Sequence, residues 1–427
     1  MNAILDILFL VSVAIIWFMI GYQFILTLFG YVLYLKSARE RDEILRNPPE
    51  YPDVTILVPA HNEAVVIEGT VRSLLRLEYP ADKLHLLVID DASTDHTGEI
   101  LDRLAAADAR VSVMHRRPPE GGKGKSAALN AGWQAVTSEI IAVYDADNRP
   151  EPDALKLLVA HLVRHPKLGA ALGKFRTGNK DRNILTRFIN IEGLSFQWIV
   201  QAGRWQLLGI ATLPGTNFII RRSVLEQLNG WDVEALTEDS ELSIRIYQAG
   251  YQIAFVPYSV TWEQEPETFQ VWLKQRTRWV RGNNYVIAKL MGSLWKSKSK
   301  VLAIEMMYTL SLYYLFLLAI VLSHVIFILG LCHVNAISVY GPYTLVWIIA
   351  FFLYVFEIFL ALTYDGEATG KNLLATLCMY FTYCQGWLLV VFRAFYADYI
   401  RREQRVWDKT VRFDEMNEAA KNSDVTR

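Results

Sequence analysis

Four long apolar stretches frame this chain and leave a polar segment between the first and the second. They are residues 4–35, 306–331, 342–364 and 372–392. The first contains one acidic residue, Asp6, and no basic residue before Lys36. Each stretch reaches the ~20 residues that an α-helix needs to cross the hydrocarbon core of a bilayer. The pattern predicts a soluble domain, from about Lys36 to Lys300, between membrane helices.

Basic residues beside the apolar stretches predict the orientation in the membrane. They are Lys36, Arg39, Arg41 and Arg46 after the first stretch, and Lys296, Lys298 and Lys300 before the second. By the positive-inside rule the soluble domain of a multi-pass plasma-membrane protein is expected in the cytoplasm. The first stretch is too long for a signal peptide and no basic segment precedes it, so it is interpreted as an anchor. The expected boundaries are 1–35 (anchor), 36–300 (soluble domain), 301–400 (two or three apolar helices) and 401–427 (polar tail).

The C-terminal basic cluster conflicts with a simple count of crossings. Three crossings after a cytoplasmic domain would place Arg401, Arg402 and Arg405 outside the cell, against the same rule. Either the rule is broken there, or one apolar stretch is interfacial or re-entrant. The stretch 372–392, interrupted by Gln385 and Gly386, is the first candidate.

Charge and cysteine content exclude several classes of protein. The chain has 43 Lys and Arg against 44 Asp and Glu, so no net charge favours nucleic acid as a partner. Its only cysteines, Cys332, Cys378 and Cys384, lie in or beside apolar stretches. There is no disulfide framework or zinc-binding spacing, which agrees with a reducing compartment.

Strands and helices are predicted to alternate through the first half of the soluble segment. Expected strands are Val54–Pro59, Leu84–Ile89, Val111–Met114 and the apolar run within 139–148, with helices near 66–77, 95–107 and 126–136. Further on, residues 184–203 are aromatic and amphipathic, and strands are expected at 218–220 and 253–256. A short helix that Gly230 and Trp231 close is expected after the first of these strands, and further helices at 240–248 and 266–290. This alternation predicts βαβ units and a mostly parallel sheet with right-handed crossovers, an α/β fold.

Acidic residues end two of the predicted strands. Asp90 and Asp91 end one, and Asp145 and Asp147 end another. The carboxyl ends of parallel strands meet at one edge, where ligands bind in open α/β sheets. Carboxylates there suit a hard divalent cation and, through it, phosphates. Taken alone, each acid pair is also typical of an ordinary turn or helix cap.

Three other short motifs have a structural and a functional interpretation. The loop Gly121–Gly124 matches neither the dinucleotide nor the P-loop spacing, but Lys123 and Lys125 make it a candidate phosphate contact. Residues 237–239 (Thr-Glu-Asp) are typical of a helix N-terminus that Thr237 caps. Trp279, on a helix approaching a membrane segment, is also typical of an interfacial anchor.

Taken in order, the motifs are far more specific than any one of them. They are DDAS (90–93), GKGKSAALN (122–130), DAD (145–147), TED (237–239) and QRTRW (275–279). This set resembles the family 2 processive glycosyltransferases, such as cellulose and poly-N-acetylglucosamine synthases. The block 266–279 is most similar to poly-β-1,6-N-acetylglucosamine synthases, and the resemblance extends over about residues 53–290. It implies a GT-A-like domain flanked by transmembrane helices.

The resemblance also implies roles for individual residues. The donor would be bound by Asp91 at the uridine, and by Lys123, Asp145, Asp147, Gln275 and Arg278 around the diphosphate. Asp147 would hold Mg²⁺ or Mn²⁺. Asp239 would be the general base, and Thr237, Glu238 and Trp279 would contact the acceptor. A carboxylate base with a cation and an arginine at the leaving phosphate suits displacement of UDP with inversion.

The expected function is elongation of a β-linked polysaccharide from UDP-N-acetylglucosamine, with passage of the product across the membrane. The alternatives are transfer of one sugar, such as glucose, to a membrane lipid, and cellulose-type glucan synthesis. The loop 214–217 lacks the cysteine of cellulose synthases, and the triplet 237–239 differs from that of hyaluronan synthases. About thirty residues follow the last apolar stretch, so no regulatory domain for a cyclic nucleotide is expected there.

Two further classes stay open. A non-catalytic scaffold with a decayed transferase domain is disfavoured by the complete set of acids, and an accessory membrane subunit is compatible with the sequence. A transporter would need ionisable residues inside its spans, for which Glu357 and His324 are the candidates.

Overall fold

The structure, a computed structural model, describes residues 2–294, 300–332, 339 and 341–403. The expectations for Lys296, Lys298, Arg405 and the rest of the C-terminal tail lie outside these residues. The chain divides into two compact units. We call them the sheet unit, residues 36–189 and 211–275, and the helical unit, residues 1–35, 190–210 and 276–403.

The sheet unit is built on eight strands. They are β1 Val54–Ala60, β2 Leu84–Asp91, β3 Val111–Arg116, β4 Ile140–Val143, β5 Arg149–Pro150, β6 Leu168–Thr177, β7 Phe218–Arg221 and β8 Gln252–Glu263. Their order is β3-β2-β1-β4-β7-β6-β8-β5. The pairs β1–β2, β2–β3, β1–β4 and β6–β8 are parallel. The short strand β7 runs antiparallel to β4 and β6, so the sheet is mixed.

Burial on both faces explains why the first strands are continuous apolar runs. In β1, the side chains of Val54, Ile56 and Val58 are fully buried, and so are all four of β4. Parallel strands need crossover segments, which cover the faces of the sheet. The helices of this unit are α2 Ile67–Leu74, α3 Thr97–Ala107, α4 Lys125–Gln134, α5 Ala154–Arg164, α8 Arg222–Leu228 and α9 Glu238–Gln248. The result is that β1, β2 and β4 end at one edge.

Three elements of the sheet unit were not predicted from the sequence: strand β5, helix α5 and strand β6. Strand β6 contains Gly169 and Gly173, which break the apolar run. A Cβ on Gly173 would overlap Asn217 and the carbonyl oxygen of Ser259, so this glycine allows a close approach of neighbouring strands.

The remaining helices form the helical unit or join it to the sheet unit. They are α1 Asn2–Arg46, α6 Ile184–Ser195, α7 Ala202–Leu208, α10 Phe269–Leu294, α11 Lys300–Ser311, α12 Leu317–Leu331, α13 Tyr343–Thr363, α14 Gly370–Phe381 and α15 Tyr383–Phe395. Three π-helical segments, Phe196–Gln201, Leu312–Phe316 and Tyr396–Ile400, extend α6, α11 and α15.

Within the described residues, three helical stretches are long and apolar enough to cross a membrane: Ala3–Arg46, Leu302–Ile326 and Leu345–Thr363. A fourth candidate is the pair α14 and α15, which is bent by 42°. We call it the bent pair. Its break lies at Thr382 rather than at the predicted Gln385–Gly386 interruption.

Two glycines let helices of the helical unit cross at very short distance. A Cβ on Gly30 of α1 would overlap the carbonyl oxygen of Trp198, and one on Gly203 of α7 would overlap the carbonyl oxygen of Leu26. Small residues at such crossings allow backbones to approach closely, as in membrane helix pairs. Helix α1 is therefore fitted to the 190–210 segment by backbone contact.

Candidate active site

Acidic side chains from two parts of the sheet unit lie around one lysine. Asp145 lies two residues after the end of β4, and Glu238 opens helix α9. The Nζ atom of Lys125 lies 2.6 Å from Oδ1 of Asp145 and 3.7 Å from Oε1 of Glu238. It also donates to the carbonyl oxygen of Gly215 at 2.8 Å. Lys125 therefore joins the β4 end, the α9 start and the loop before β7.

The electrostatics of Lys125 follow from these neighbours. Burial by itself would lower the pKa of this lysine, but the carboxylates of Asp145 and Glu238 outweigh burial and raise its pKa. The ammonium group is consequently charged at every physiological pH. It partly neutralises a cluster of carboxylates that would otherwise repel one another.

The loop before β7 completes this side of the cluster. The backbone N–H of Asp145 donates to Oδ1 of Asn148 at 2.8 Å and to Oγ1 of Thr216 at 3.0 Å. Gly215 has a φ of +85°, and a Cβ there would lie 3.0 Å from Oδ2 of Asp239. Only glycine combines this backbone conformation with such proximity to a carboxylate. The loop thus holds the Asp145 backbone and lies against Asp239.

Asp147 occupies a more enclosed position than Asp145. Its residue is 5% exposed, and Oδ2 accepts a long hydrogen bond of 3.3 Å from the backbone N–H of Gln264, just after β8. No group of three or more His, Cys, Asp or Glu side chains within the described residues forms a metal cage. One or two carboxylates next to a phosphate site are nevertheless a typical way to hold Mg²⁺, because phosphates and water supply the remaining ligands. The donor set fits a cation shared with a ligand.

Asp91, at the end of β2, is tied to the glycine loop. Its Oδ1 accepts from Nη1 of Arg116 at 2.5 Å and from the N–H of Gly122 at 3.0 Å. Its Oδ2 accepts from the N–H of Gly124 at 3.3 Å. The carboxylate therefore fixes the course of the loop that leads to Lys125.

Helix α9 brings the acidic triplet to the site. Glu238, Asp239 and Glu241 lie in its first turn, where the helix dipole favours negative charge. Oδ1 of Asp239 accepts from the N–H of Ser240 at 2.7 Å. Thr237 is at the N-cap position, but its side chain makes no capping hydrogen bond. Its buried hydroxyl has no hydrogen-bond partner within the structure.

The sequence prediction named Lys123 as the donor contact, and the structure brings the other lysine of the loop to the acids. Lys123 is exposed, whereas Lys125, the first residue of α4, reaches Asp145. Asn148, Gly215 and Thr216 were also not singled out individually. The signal for Lys125 was present, since both lysines belong to the same motif, but their spacing alone does not choose between them.

The remaining predicted residues lie on α10. Gln275 is the last residue of the sheet unit, and Arg278 and Trp279 belong to the helical unit. All three are half-buried. The guanidinium carbon of Arg276 lies 3.9 Å from the centroid of the Trp279 ring, so one face of this ring stacks on an arginine.

Comparison with known proteins gives one family and several relatives. Residues 52–282 match the family described as Glycosyltransferase like family 2. The chain is 42% identical over 412 residues to the "Probable glycosyltransferase YdaM" of Bacillus subtilis, which covers 96% of this chain and 98% of that protein. It is 29% identical over 252 residues to the poly-beta-1,6-N-acetyl-D-glucosamine synthase of Staphylococcus aureus strain COL; this match covers 59% of the chain and 60% of the synthase.

A solved structure has a similar fold. It is the mannosyltransferase PcManGT from Pyrobaculum calidifontis in complex with GDP-Man and Mn²⁺, with a TM-score of 0.57 and 22% identity, covering 88% of this chain and 99% of that one. The predicted fold class, an α/β GT-A-like domain with helices apolar enough to span a membrane, is confirmed, with a mixed rather than mostly parallel sheet.

Proposed function

Because this chain belongs to glycosyltransferase-like family 2, we propose that it transfers N-acetylglucosamine from UDP-N-acetylglucosamine to a growing β-linked polysaccharide. The observation that carries the proposal is the cluster of Asp145, Glu238 and Lys125, with Asp239 beside it at Gly215. It joins the carboxylates expected for the diphosphate to those expected for the acceptor within one sheet unit. The choice of sugar and polymer is supported by the similarity to the Staphylococcus aureus synthase.

The side chains of this cluster have distinct parts in the reaction. Asp239 takes the proton of the acceptor hydroxyl as that oxygen attacks the anomeric carbon, and UDP leaves from the opposite side. Displacement in one step inverts the configuration, which is typical of the family, and yields a β-linkage from an α-linked donor. Lys125, turned from Asp145 toward the diphosphate, stabilises the charge that develops on the leaving group.

The divalent cation is part of this proposal. The residues that would hold it are Asp147 and Asp145, with the donor diphosphate supplying further oxygens. When bound, Mg²⁺ or Mn²⁺ neutralises the charge on the departing phosphate. The similar mannosyltransferase was solved with Mn²⁺, which supports a cation-dependent reaction here.

The other motif residues are proposed as ligands of the two substrates. Asp91 would contact the uridine while it holds the glycine loop, and Lys123, exposed on that loop, would approach the nucleotide. Gln275 and Arg278 would bind the diphosphate. Trp279 would stack on the acceptor sugar, and the buried hydroxyl of Thr237 and the carboxylate of Glu238 would hydrogen-bond to it.

Turnover by purified protein tests this assignment. UDP release is measured with a panel of UDP-sugars and Mg²⁺ or Mn²⁺, and the product is analysed for length and linkage. We expect UDP-N-acetylglucosamine to give a polymer. Asp239→Asn should abolish transfer and leave UDP binding intact, while Glu234→Gln, an exposed acid before α9, should behave as wild type. A product carrying a single sugar on lipid would refute polymer elongation, and full activity of Asp239→Asn would remove Asp239 as the base.

We further propose three membrane crossings with a cytoplasmic C-terminus. The sequence from 36 to 300 has no apolar stretch of spanning length, so Trp198, in the π-helical segment Phe196–Gln201, and Arg281, on α10, are expected on one side of the membrane. Nε1 of Trp198 donates to Oδ2 of Asp365, two residues after α13, at 2.5 Å. Nε of Arg281 donates to Oδ1 of Asp398, near the end of the bent pair, at 2.7 Å. Both contacts support a bent pair that begins and ends on the cytoplasmic side.

Cysteine labelling tests the membrane course. In a chain without its native cysteines, single cysteines at Gly341, Gly366 and Arg402 are treated with a membrane-impermeant maleimide. Position 341 should react in intact cells, and positions 366 and 402 only after lysis. Reaction of position 402 in intact cells would show that the bent pair crosses.

A further inference from the structure

An ion pair between a buried arginine and a half-buried glutamate in the helical unit lies beside the proposed acceptor platform. Nη2 of Arg276 donates to Oε2 of Glu192 at 2.6 Å, and Arg276 is 2% exposed. Arg276 is also the residue whose guanidinium stacks on the ring of Trp279. Glu192 is on α6, outside every motif of the family 2 pattern discussed above, so the sequence alone assigns it no role.

The bent pair supplies two more donors to the same carboxylate. The hydroxyl of Tyr383 donates to Oε2 of Glu192 at 2.8 Å, and Nε1 of Trp387 donates to Oε1 at 2.8 Å. Glu192 therefore accepts three hydrogen bonds from two other helices, α10 and α15. The Glu192 carboxylate is 22% exposed, and a guanidinium and two neutral donors together restrict it to one well-defined position.

We propose that Glu192 and Arg276 are positioning residues for Trp279, and that Tyr383 and Trp387 of the bent pair hold them in place. This inference rests on the proposed function of Trp279 as the acceptor platform. The stacked guanidinium covers one face of the indole, so the acceptor sugar uses the opposite face. The charged guanidinium of Arg276 lies against the indole ring, and the carboxylate of Glu192 holds that guanidinium in place. The orientation of the indole therefore depends on a carboxylate on another helix.

Loss of this network should change binding of the acceptor but not of the donor, whereas a general loss of stability would affect both substrates. If the network orients Trp279, its disruption weakens acceptor binding and leaves the donor site in the sheet unit unchanged. A merely structural role predicts a loss of active protein, seen as a lower kcat with unchanged KM values. The split between the two KM values therefore distinguishes the explanations.

The experiment measures KM for UDP-N-acetylglucosamine and for a β-1,6-linked N-acetylglucosamine oligosaccharide, on the full-length protein in detergent. Glu192→Gln removes the charge with little change of shape. Tyr383→Phe removes a single hydroxyl and serves if Glu192→Gln fails to fold. Tyr380→Phe, the same change in the other helix of the bent pair, is the matched control, since the Tyr380 ring packs on Phe351 rather than on Glu192.

We expect Glu192→Gln to raise the acceptor KM about tenfold, the scale of one charge-assisted hydrogen bond, and Tyr383→Phe to raise it severalfold. The donor KM should stay at the wild-type value in both, and Tyr380→Phe should match wild type throughout. Unchanged acceptor KM in Tyr383→Phe and in folded Glu192→Gln would overturn this inference alone. Absence of transfer by the wild-type protein from any UDP-sugar would instead overturn the proposed function, and this inference with it.

Discussion

Replacing Lys125 by methionine should make the acid cluster bind a divalent cation more tightly when no nucleotide is present. The methionine side chain keeps most of the length of the lysine and removes its charge. In the wild type, the ammonium lies 2.6 Å from Asp145 and 3.7 Å from Glu238, and so competes with a cation for the same carboxylates. The variant exposes these acids to the cation without an internal positive charge.

The size of the effect follows from the distances and the exposure. Two unit charges 4 Å apart interact by about 4 kcal/mol at an effective dielectric constant of ~20. The Asp145 side chain is 30% exposed, so solvent screening reduces this value. We therefore expect removal of the lysine charge to improve the free energy of cation binding by about 1.4–2.8 kcal/mol, which corresponds to a ten- to hundredfold tighter affinity.

Titration with Mn²⁺ in the absence of nucleotide measures this affinity, with free Mn²⁺ followed by electron paramagnetic resonance. Lys125→Arg, which keeps the charge, should bind Mn²⁺ as weakly as wild type. Lys123→Met is the matched control, because Lys123 is exposed on the same loop. Equal Mn²⁺ affinity of wild type and Lys125→Met, or an equal gain in Lys123→Met, would refute the reasoning.

Three other substitutions test separate features. Gly215→Ala should reduce turnover at least tenfold, because the added Cβ would lie 3.0 Å from Oδ2 of Asp239. Gly250→Ala is the control, since Gly250 has a similar φ of +92° but no atom near the added Cβ. This variant should lose only about 1 kcal/mol of stability and keep its turnover. The protonated His115 ring donates hydrogen bonds to the carboxylates of Asp90 and Asp102, and these bonds raise the pKa of His115. Their stabilisation is therefore complete below the unfolded-state pKa of about 6.5 and disappears as pH rises through the folded-state value. The thermal midpoint of wild type should thus exceed that of His115→Asn most at about pH 6 and least at about pH 9; a constant difference would contradict this. Gly30→Ala should lower the yield of folded protein in detergent by its overlap with Trp198, whereas Gly21→Ala on the same helix, with nothing nearby, should not; equal yields would argue against the close crossing.

The sequence predicted best those features that depend on residues close together along the chain. The strands ending in Asp91 and before Asp145 were predictable because buried parallel strands are continuous apolar runs that stop at polar residues. The antiparallel direction of β7 was not predictable, since the sequence of a four-residue strand does not indicate in which direction the strand pairs. The choice between Lys123 and Lys125 depends on a carbonyl oxygen ninety residues away, at Gly215. The role of Glu192 could not be predicted from the sequence either, because its hydrogen-bond partners come from α10 and the bent pair.

The discontinuous composition of the helical unit has a consequence for its synthesis. Residues 1–35 emerge first, but their partners in the same unit begin only at residue 190, about 150 residues later. At ~5–20 residues per second, α1 waits roughly 8–30 s for the segment that fits its Gly30 surface, and longer for 276–403. In the proposed membrane topology, lipid is the available neighbour of this surface during that time. Assembly of the unit is therefore expected to follow membrane insertion of α1 as a separate and later step.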